Sequence, residues 1–346
     1  MSLQRAIQIQ GPKLAKLVSD APIPKLRDGY IKVKTVAVAL NPTDWKHIDF
    51  LADKGAIVGC DYSGIVEEVG PAVTNFAVGD KVAGFVHGSN ETNHEDGCFA
   101  EHIAAKAALA LKVPSNVSLE EASTLGVGIT TVAQGLYQSL ALPWPTTPAP
   151  APFPILIYGG STATGTLAIQ FAKLSGLTVV TTCSPHNFAL VRRLGADHVF
   201  DYKSPTVGAD IRAATADGLR HAFDCIAYDS TAAICAAALT SAPGVARYSS
   251  LLTVDKFPRA DVENAGTLAY TALGETFRKG AREFPANADH LAFAARFWRL
   301  AEELLAQGKL EVHPPEVREG GLEAVLDGLD DLRQDKVSGV KLVYRV

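Results

Sequence analysis

The first stretch whose residues could do chemistry is 159–165, GGSTATG, in which glycines lie beside several hydroxyl side chains. It follows an apolar run at 154–158 and precedes apolar residues at helical spacing. A turn between a buried strand and a helix N-terminus is where free N–H groups and the helix dipole favour a pyrophosphate. The hydroxyls of Ser161, Thr162 and Thr164 could also hydrogen-bond phosphate oxygens. We predict dinucleotide binding here; a strict G-x-G-x-x-G is absent, and an ordinary strand–turn–helix is the alternative.

A second polar stretch is 41–47, NPTDWKH, which follows a strand-like run at 30–40. Asn41-Pro42 is a turn signal, so we interpret the stretch as a polar turn. Its hydroxyl, carboxylate, ammonium and imidazole groups are concentrated in seven residues. Tyr62, near the start of the next strand-like run, is a candidate proton donor, although a strand-end tyrosine is more often structural.

The elements that must position these stretches belong to two different patterns. Up to about residue 120, short strands with frequent Gly and Pro predict a compact β-rich domain. Ser118 and Glu121 form a candidate capping box at the start of a helix. Across 153–252, strands alternate with helices, which predicts a doubly wound parallel sheet of the Rossmann type. An amphipathic helix at 289–307 and a strand at 340–346 are predicted in the last third.

Composition limits the classes of function. With 346 residues the chain is long enough for two domains, and 47% hydrophobic with 20% charged residues indicates a globular protein. A formal charge of -5 argues against nucleic acid as a partner. Five cysteines without a C-x-x-C pair favour a reduced, cytoplasmic setting. We expect no signal peptide and no membrane span, because no long apolar run occurs.

Five motifs carry a resemblance to a known family: ALNPTDWKH, GCDYSGIVEEVG, YGGSTATGT, TCSPHN and KVSGVKLVYRV. Together with the order of the two patterns, they resemble the medium-chain dehydrogenase/reductase superfamily over nearly the whole chain. More narrowly, they resemble the fungal trans-acting enoyl reductases, which are stand-alone partners of highly reducing polyketide synthases. The resemblance implies a GroES-like catalytic domain at 1–125 and 271–346 and a Rossmann NADPH-binding domain at 126–270.

The zinc-free branch of this superfamily fits the residues better than the zinc branch. Where the zinc enzymes have a cysteine, this chain has Asn41, and where they have a His-Glu pair it has Cys60-Asp61. Asparagine is a poor zinc ligand, and a catalytic zinc needs three protein ligands. The closely spaced cysteines of a structural zinc site are also missing. We expect no metal.

The end of the second strand of the nucleotide unit suggests which cofactor is bound. NAD-binding units place a carboxylate there, roughly 20 residues past the glycine turn. This chain has CSPHN at 183–187, in which Ser184, His186 and Asn187 could donate hydrogen bonds to a 2′-phosphate, with Tyr202 closing the pocket. A plain turn is the alternative. We predict NADPH as the cofactor.

The resemblance also implies roles for individual residues. The implied cofactor contacts are Thr43, Asp44, Trp45, Lys46, Ser161, Thr162, Ala163, Thr164, Ser184, Pro185, His186, Asn187, Tyr202, Leu251, Leu252, Val337 and Ser338. The candidates for stabilising the thioester oxygen are Lys46, Thr130 and Thr131. The implied substrate channel is lined by Leu125, Gly126, Val127, Gly128, Ile129, Thr130, Thr131, Val132, Tyr270, Thr271, Ala272, Leu273 and Gly274.

The implied activity is that of a trans-acting enoyl reductase. Hydride from NADPH would reach the β-carbon of an α,β-unsaturated thioester on the acyl-carrier protein of a partner polyketide synthase. A monomer is favoured, although the sequence leaves the oligomeric state open, and neither nucleic acid nor a membrane is expected as a partner. A stand-alone NADPH quinone or alkenal reductase is a second hypothesis, and an NADPH-binding protein without turnover is a third.

Overall fold

The computed structural model of the protein describes residues 2–346. The chain divides into two compact units. The first contains the residues up to Thr130 together with Tyr270–Val346, and the second contains Thr131–Ala269. Among the described residues, no helix is both long and apolar enough to cross a membrane.

The strands are numbered in chain order. They are β1 (Leu3–Gly11), β2 (Leu14–Pro22), β3 (Tyr30–Ala39), β4 (Asp61–Val69), β5 (Lys81–Phe85), β6 (His102–Lys106), β7 (Ala110–Lys112), β8 (Pro154–Tyr158), β9 (Thr178–Cys183), β10 (His198–Asp201), β11 (His221–Asp224), β12 (Ala246–Ser250), β13 (Val262–Gly266), β14 (Phe277–Lys279), β15 (Arg282–Phe284), β16 (Pro315–Arg318) and β17 (Lys341–Arg345).

The α-helices are numbered in the same way. They are α1 (Pro42–Phe50), α2 (Leu119–Ala122), α3 (Gly126–Val132), α4 (Ala163–Leu174), α5 (Phe188–Arg193), α6 (Val207–Ala214), α7 (Asp229–Ala238), α8 (Ala288–Ala306) and α9 (Gly321–Arg333). A π-helical segment spans Ala133–Ser139, and 3-10 turns include Pro185–Asn187 and Ala269–Leu273.

The second unit confirms the predicted doubly wound sheet. Its six parallel strands have the order β10-β9-β8-β11-β12-β13, in which the chain runs outward to one edge and then returns to the middle. This is the Rossmann order, and it places the turn after β8 at the point where the strand order reverses. The strand β8 is apolar because helices cover both faces of a parallel sheet, and Ile155, Leu156 and Ile157 are completely buried.

The first unit is β-rich, as predicted. Its seven-stranded sheet has the order β16-β17-β3-β4-β5-β7, and β6 also pairs with β3. Strand β17 pairs antiparallel with the end of β3, so the last strand of the chain completes the sheet that the early strands begin. The core between this sheet and the surrounding elements includes Ile31, Val33, Tyr62 and Leu342. Tyr62 is therefore a core residue, and we do not retain it as a proton donor.

The stretch NPTDWKH is the main local difference from the sequence analysis, because it forms helix α1 rather than a turn. Asn41 is the N-cap, and its backbone N–H donates to the Asp44 carboxylate at 2.7 Å. Pro42 stands in the first turn, where the missing N–H has no helical partner to lose. An N-cap followed by a proline and an acidic third residue is a helix-start signal.

Other elements differ in extent. The capping box is confirmed, since Ser118 accepts from the Glu121 N–H at 3.2 Å, but the helix it begins ends at Ala122. The helix predicted at 289–307 is confirmed as α8. The helices α6 and α9 were not predicted. In α9, Leu322, Val325 and Leu329 are buried at helical spacing against the core of the first unit.

Candidate active site

Helix α1 places Thr43 and His47 one turn apart on the same face of the first unit. The His47 Nδ1 lies 2.6 Å from the Thr43 carbonyl oxygen and 3.0 Å from the Thr43 hydroxyl. A carbonyl oxygen only accepts, so Nδ1 carries the hydrogen and Nε2 is left as an acceptor. The side chain of His47 is buried, whereas Thr43 is half-exposed.

Tyr270 brings the later part of the chain to this face of α1. Its hydroxyl lies 2.8 Å from the Thr43 hydroxyl and 3.5 Å from the Cys60 thiol. The ring of His87 stacks on the Tyr270 ring with centroids 4.1 Å apart. The Lys279 ammonium lies 4.0 Å from the centroid of the same ring and donates to the Nε2 of His47. We call Thr43, His47, Cys60, His87, Tyr270 and Lys279 the Tyr270 cluster.

Burial determines the protonation states in the Tyr270 cluster. It lowers the pKa of Lys279 to about 8, because a desolvated ammonium is disfavoured. Burial, with the nearby Lys279 charge, lowers the pKa of His47 to about 3 and that of His87 well below its usual value. The same desolvation raises the pKa of Tyr270 well above its usual range. Near neutral pH the cluster therefore holds one ammonium, two neutral imidazoles and a protonated phenol.

A buried ammonium lies where the zinc branch would hold its metal. The Lys341 Nζ donates to Asp61 Oδ2 at 2.5 Å, to Asn41 Oδ1 at 2.9 Å and to the Thr124 carbonyl at 3.2 Å. The other oxygen of Asp61 accepts from the Val127 N–H at 2.6 Å. Because the carboxylate is already neutralised by a cation, these residues do not fit a zinc ion.

The predicted catalytic residues lie in different surroundings. The Lys46 ammonium lies 5.7 Å from the centroid of the Trp45 ring, and its pKa is lowered by burial and raised in part by Asp335. The Thr130 hydroxyl is completely buried and accepts from the Trp298 indole at 3.2 Å. Thr131 is buried at the start of the second unit. Within the first unit, the structure brings Thr43 and Tyr270 together.

The turn after β8 is closely packed in the second unit. Gly159 has a φ of +79°, and a Cβ at Gly165 would lie 2.3 Å from the Gly159 carbonyl oxygen. The Thr162 hydroxyl donates to that same oxygen at 2.9 Å and accepts from the Gly165 N–H at 3.0 Å, so it caps α4. Ser161 and Ala163 are half-exposed beside the helix N-terminus, and Thr164 is buried. Backbone N–H groups, rather than the Thr162 hydroxyl, are thus presented toward a phosphate.

The residues predicted to select NADPH follow the end of β9. Ser184 is half-exposed, Pro185 and His186 are exposed, and Asn187 is buried in the 3-10 turn that leads into α5. Tyr202 follows the neighbouring strand β10 and is 38% exposed, so the two segments reach the same edge of the sheet. Burial raises the pKa of the Cys183 thiol to about 11, and the positive charge of the nearby Arg192 offsets part of this rise. Arg192 is a cation that the sequence analysis did not assign to this edge.

The remaining predicted contacts vary in exposure. Leu251 and Val337 are half-buried, and Leu252 and Ser338 are exposed. Within 125–132, only Val127 is half-buried, and the other seven residues are buried. In the second predicted substrate segment, Thr271 and Gly274 are half-buried, whereas Tyr270, Ala272 and Leu273 are buried. These assignments stay predictions.

Sequence reasoning found two members of the Tyr270 cluster and missed the rest. Thr43 and Tyr270 were assigned through the resemblance, whereas His47, His87 and Lys279 received no role. The spacing of Thr43 and His47 would have been informative had the stretch been recognised as a helix. No sequence signal links His47 with Lys279, because 232 positions separate them.

Comparisons with known proteins agree with this architecture. The family model of the alcohol dehydrogenase GroES-like domain matches residues 27–115, and that of the zinc-binding dehydrogenase matches residues 163–272. The trans-enoyl reductase ACTTS2 of Alternaria alternata is 48% identical over 100% of both chains. The trans-enoyl reductase TOXD of Cochliobolus carbonum is 56% identical over 80% of this chain and 93% of its own. The structure of a quinone oxidoreductase from Coxiella burnetii superposes with a TM-score of 0.74 at 25% identity, over 100% of both chains.

The family resemblance stated from the motifs is thereby confirmed. The two matching family models correspond to the GroES-like and nucleotide-binding patterns, and the curated relatives extend across both. The chain is an oxidoreductase that belongs to the trans-enoyl reductase family of the medium-chain dehydrogenase/reductase superfamily.

Proposed function

We propose that this protein is a trans-acting enoyl reductase. It would use NADPH to reduce the α,β-double bond of an acyl thioester carried on the acyl-carrier protein of a partner polyketide synthase. The observation that carries the proposal is the end-to-end identity of 48% with a protein named as a trans-enoyl reductase. We also propose that the enzyme is a monomer and that it acts in the cytoplasm.

The residues of the second unit fit a nicotinamide dinucleotide. The turn at Gly159 and Gly160 is held by the Thr182 backbone oxygen, which accepts from Gly160 at 2.9 Å, and by the Thr182 hydroxyl, which accepts from Gly159 at 3.1 Å. Fixed in this way, the turn leaves the first N–H groups of α4 for a pyrophosphate. Ser184, His186 and Tyr202 would recognise the adenosine ribose and its phosphate. When bound, NADPH supplies the hydride that reaches the β-carbon.

The first unit would bind and polarise the acyl thioester. Negative charge develops on the thioester oxygen as the β-carbon is reduced, so donors placed beside that oxygen lower the barrier. The Tyr270 cluster offers hydroxyl donors and an ammonium in a region largely removed from water. Electrostatic interactions are stronger in such surroundings than in bulk water. The buried pair of Lys341 and Asp61 joins the start of β17 to the start of β4, next to Cys60 of this cluster.

The test is a comparison of acceptors with the purified protein. NADPH oxidation is measured with crotonyl and longer enoyl thioesters, each on pantetheine and on an acyl-carrier protein, and with small quinones and alkenals. We expect enoyl thioesters to be turned over, with carrier-bound substrates preferred and free enoic acids poor. A higher kcat/KM for a quinone would favour the quinone reductase hypothesis. NADPH binding without oxidation by any acceptor would favour a protein without turnover.

We expect the protein to bind NADPH at least about tenfold more tightly than NADH. Each charge-assisted hydrogen bond to the 2′-phosphate contributes about 1.5–3 kcal/mol, and Ser184 can donate one. Ser184→Asp should narrow or reverse the preference, because a carboxylate repels the phosphate and accepts from a free 2′-hydroxyl. Dissociation constants for both cofactors, measured by titration of NAD(P)H fluorescence, check this result.

The control for the negative charge that Ser184→Asp adds is Ala213→Asp, at an exposed position on α6 of the same unit. It should leave the ratio of the two dissociation constants unchanged. Equal affinities of the wild-type protein for NADPH and NADH would contradict the cofactor assignment.

We expect Lys46→Ala to retain the fold and to lose at least about tenfold in kcat/KM, which corresponds to about 1.4 kcal/mol of transition-state stabilisation. The Lys46 side chain is half-buried beside Trp45, and its lowered pKa reflects that burial. Loss of a contact present equally in ground and transition states would raise KM alone, whereas loss of one made only to developing charge would lower kcat. Steady-state kinetics separate these effects.

Lys54→Ala is the matched control, because Lys54 is exposed shortly after α1. If Lys46→Ala behaves as Lys54→Ala does, with kcat and KM both at wild-type values, the assignment of Lys46 is wrong.

A further inference from the structure

The Tyr270 cluster contains an ordered path between an ammonium and a half-exposed hydroxyl. We propose that Lys279 is the proton source of the reaction, and that its proton passes through His47 and leaves from the Thr43 hydroxyl to the substrate α-carbon. This inference rests on the proposed enoyl reductase activity. In this assignment Thr43 is the catalytic residue that meets the substrate, and Tyr270 is a positioning residue.

The path depends on the two nitrogens of His47. The Lys279 ammonium donates to Nε2, and the protonated nitrogen Nδ1 lies 3.0 Å from the Thr43 hydroxyl oxygen. An imidazole can take a proton on one nitrogen while it releases the proton on the other. The Nδ1–H is shared between that hydroxyl and the Thr43 carbonyl oxygen, 2.6 Å from Nδ1, and the carbonyl contact holds the imidazole ring beside the hydroxyl.

Tyr270 determines the direction in which Thr43 can donate. The phenol hydrogen can be directed to the Thr43 oxygen at 2.8 Å, since its other neighbour is the Cys60 thiol at 3.5 Å, a weak acceptor. With its oxygen accepting from Tyr270 and His47, the Thr43 hydroxyl has its own hydrogen left to donate. Thr43 is half-exposed, whereas Tyr270 and His47 are buried, so that hydrogen can reach a substrate.

The electrostatic surroundings make Lys279 the acid of the path. The titratable groups that face it are His47 on α1, Tyr270, His87, Cys60 and Glu91. Burial keeps the Cys60 thiol protonated by raising its pKa, and the Glu91 carboxylate accepts from the Gly280 N–H at 2.7 Å, next to Lys279 in the chain. The lowered pKa of Lys279, about 8, is close to the pH at which a general acid works best.

The transfer balances. As hydride forms the new C–H bond at the β-carbon, the Thr43 O–H bond breaks and its proton forms the C–H bond at the α-carbon. The Thr43 oxygen takes the Nδ1 proton of His47, and Nε2 takes a proton from Lys279. The neutral amine of Lys279 then recovers a proton from water. The double bond gains one hydride and one proton.

The first test compares Lys279→Arg and Lys279→Met with wild type. Arginine keeps the positive charge but does not release a proton in the working pH range. Both variants should lose about 10²–10⁴-fold in kcat, the range expected when a positioned acid is removed. Their NADPH dissociation constants should remain within about twofold of wild type. Arg278→Met, on the same strand β14 but exposed, is the matched control and should retain wild-type kcat.

The pH profile distinguishes a proton source from a purely structural lysine. The reactive form is the ammonium, so wild-type kcat should be level below about pH 8 and fall as the pH rises above that value. In Lys279→Met the residual kcat should not show this fall. If kcat of either Lys279 variant still falls above about pH 8 as it does in wild type, the assignment of Lys279 as the proton source is wrong.

The second test is stereochemical and does not depend on how Lys279 variants fold. The substrate is an α-methyl enoyl pantetheine thioester in deuterated water. Wild type should place deuterium on one face of the α-carbon, whereas Thr43→Val should react slowly and give both epimers, with hydride still added to one face of the β-carbon. A single unchanged epimer from Thr43→Val at near wild-type kcat would overturn the role of Thr43. A wild-type protein that reduces no enoyl thioester would overturn the proposed function, and this inference with it.

Discussion

Replacing Lys341 with methionine is expected to lower the free energy of unfolding of the first unit by about 3–5 kcal/mol. The side chains of Lys341 and Asp61 are 3% and 0% exposed, so neither charge can be screened by water. Removing the ammonium leaves the Asp61 carboxylate buried, with the Val127 N–H still donating to it, and takes the Lys341 donor away from the Asn41 side-chain oxygen. Methionine has a similar length, so the loss of charge, rather than a cavity, determines the effect.

The effect on stability can be measured by urea unfolding followed by tryptophan fluorescence. Lys32→Met is the matched control, because Lys32 pairs with Glu68 in the same sheet but Glu68 is 54% exposed. An exposed pair contributes roughly 0–1 kcal/mol. Adding Asp61→Asn to Lys341→Met should recover part of the loss, since no buried charge remains unpaired. Equal losses from Lys341→Met and Lys32→Met would contradict this account.

Gly165→Ala is expected to weaken NADPH binding by about 5- to 150-fold. The added methyl would lie 2.3 Å from the Gly159 carbonyl oxygen and 2.8 Å from the Gly160 Cα, so backbone must move. Such overpacking costs about 1–3 kcal/mol, which corresponds to that range of affinity. Helix propensity predicts the opposite sign, because alanine is a better helix former than glycine. The close approach of α4 to the turn should therefore dominate.

Titration of NADPH fluorescence measures this loss, and a thermal melt checks that the second unit is folded. Gly218→Ala makes the same change at an exposed position of that unit, where the methyl would meet one atom, the Thr215 carbonyl oxygen at 3.0 Å. Its NADPH affinity should match wild type. An unchanged affinity in Gly165→Ala would show that the turn can widen without affecting the nucleotide.

The sequence predicted the second unit well because its signals are local. A buried strand such as 154–158 and the helix after it are each recognisable within about a dozen residues, and parallel strands joined by helices allow few topologies. Helix α1 was missed for a local reason, since Asn41-Pro42 was taken as a turn although the same pair begins a helix. The family resemblance, rather than the spacing of residues, supplied Thr43 and Tyr270.

The rest of the candidate site could not be predicted from the sequence because it depends on contacts distant in the chain. Thr43 and Tyr270 are 227 positions apart, and Asp61 and Lys341 are 280 apart. No periodicity extends over such separations. The sequence around a lysine or histidine whose partner is far away in the chain does not distinguish it from an ordinary surface or core residue. Packing of β17 against β3 and the approach of Tyr270 to α1 are needed before these groups have a common environment.

The division of the first unit between two parts of the chain has a consequence for its biosynthesis. Strand β3 lacks its neighbour β17 until residue 345 has been made, whereas residues 131–269 form one continuous segment. At about 5–20 residues per second, the ribosome needs roughly 4–15 s to pass from residue 270 to residue 345. During that interval the nucleotide-binding sheet can be complete while the end of β3 remains an open edge, prone to pairing with other chains. Chaperone dependence should therefore arise from the open edge of β3 rather than from residues 131–269.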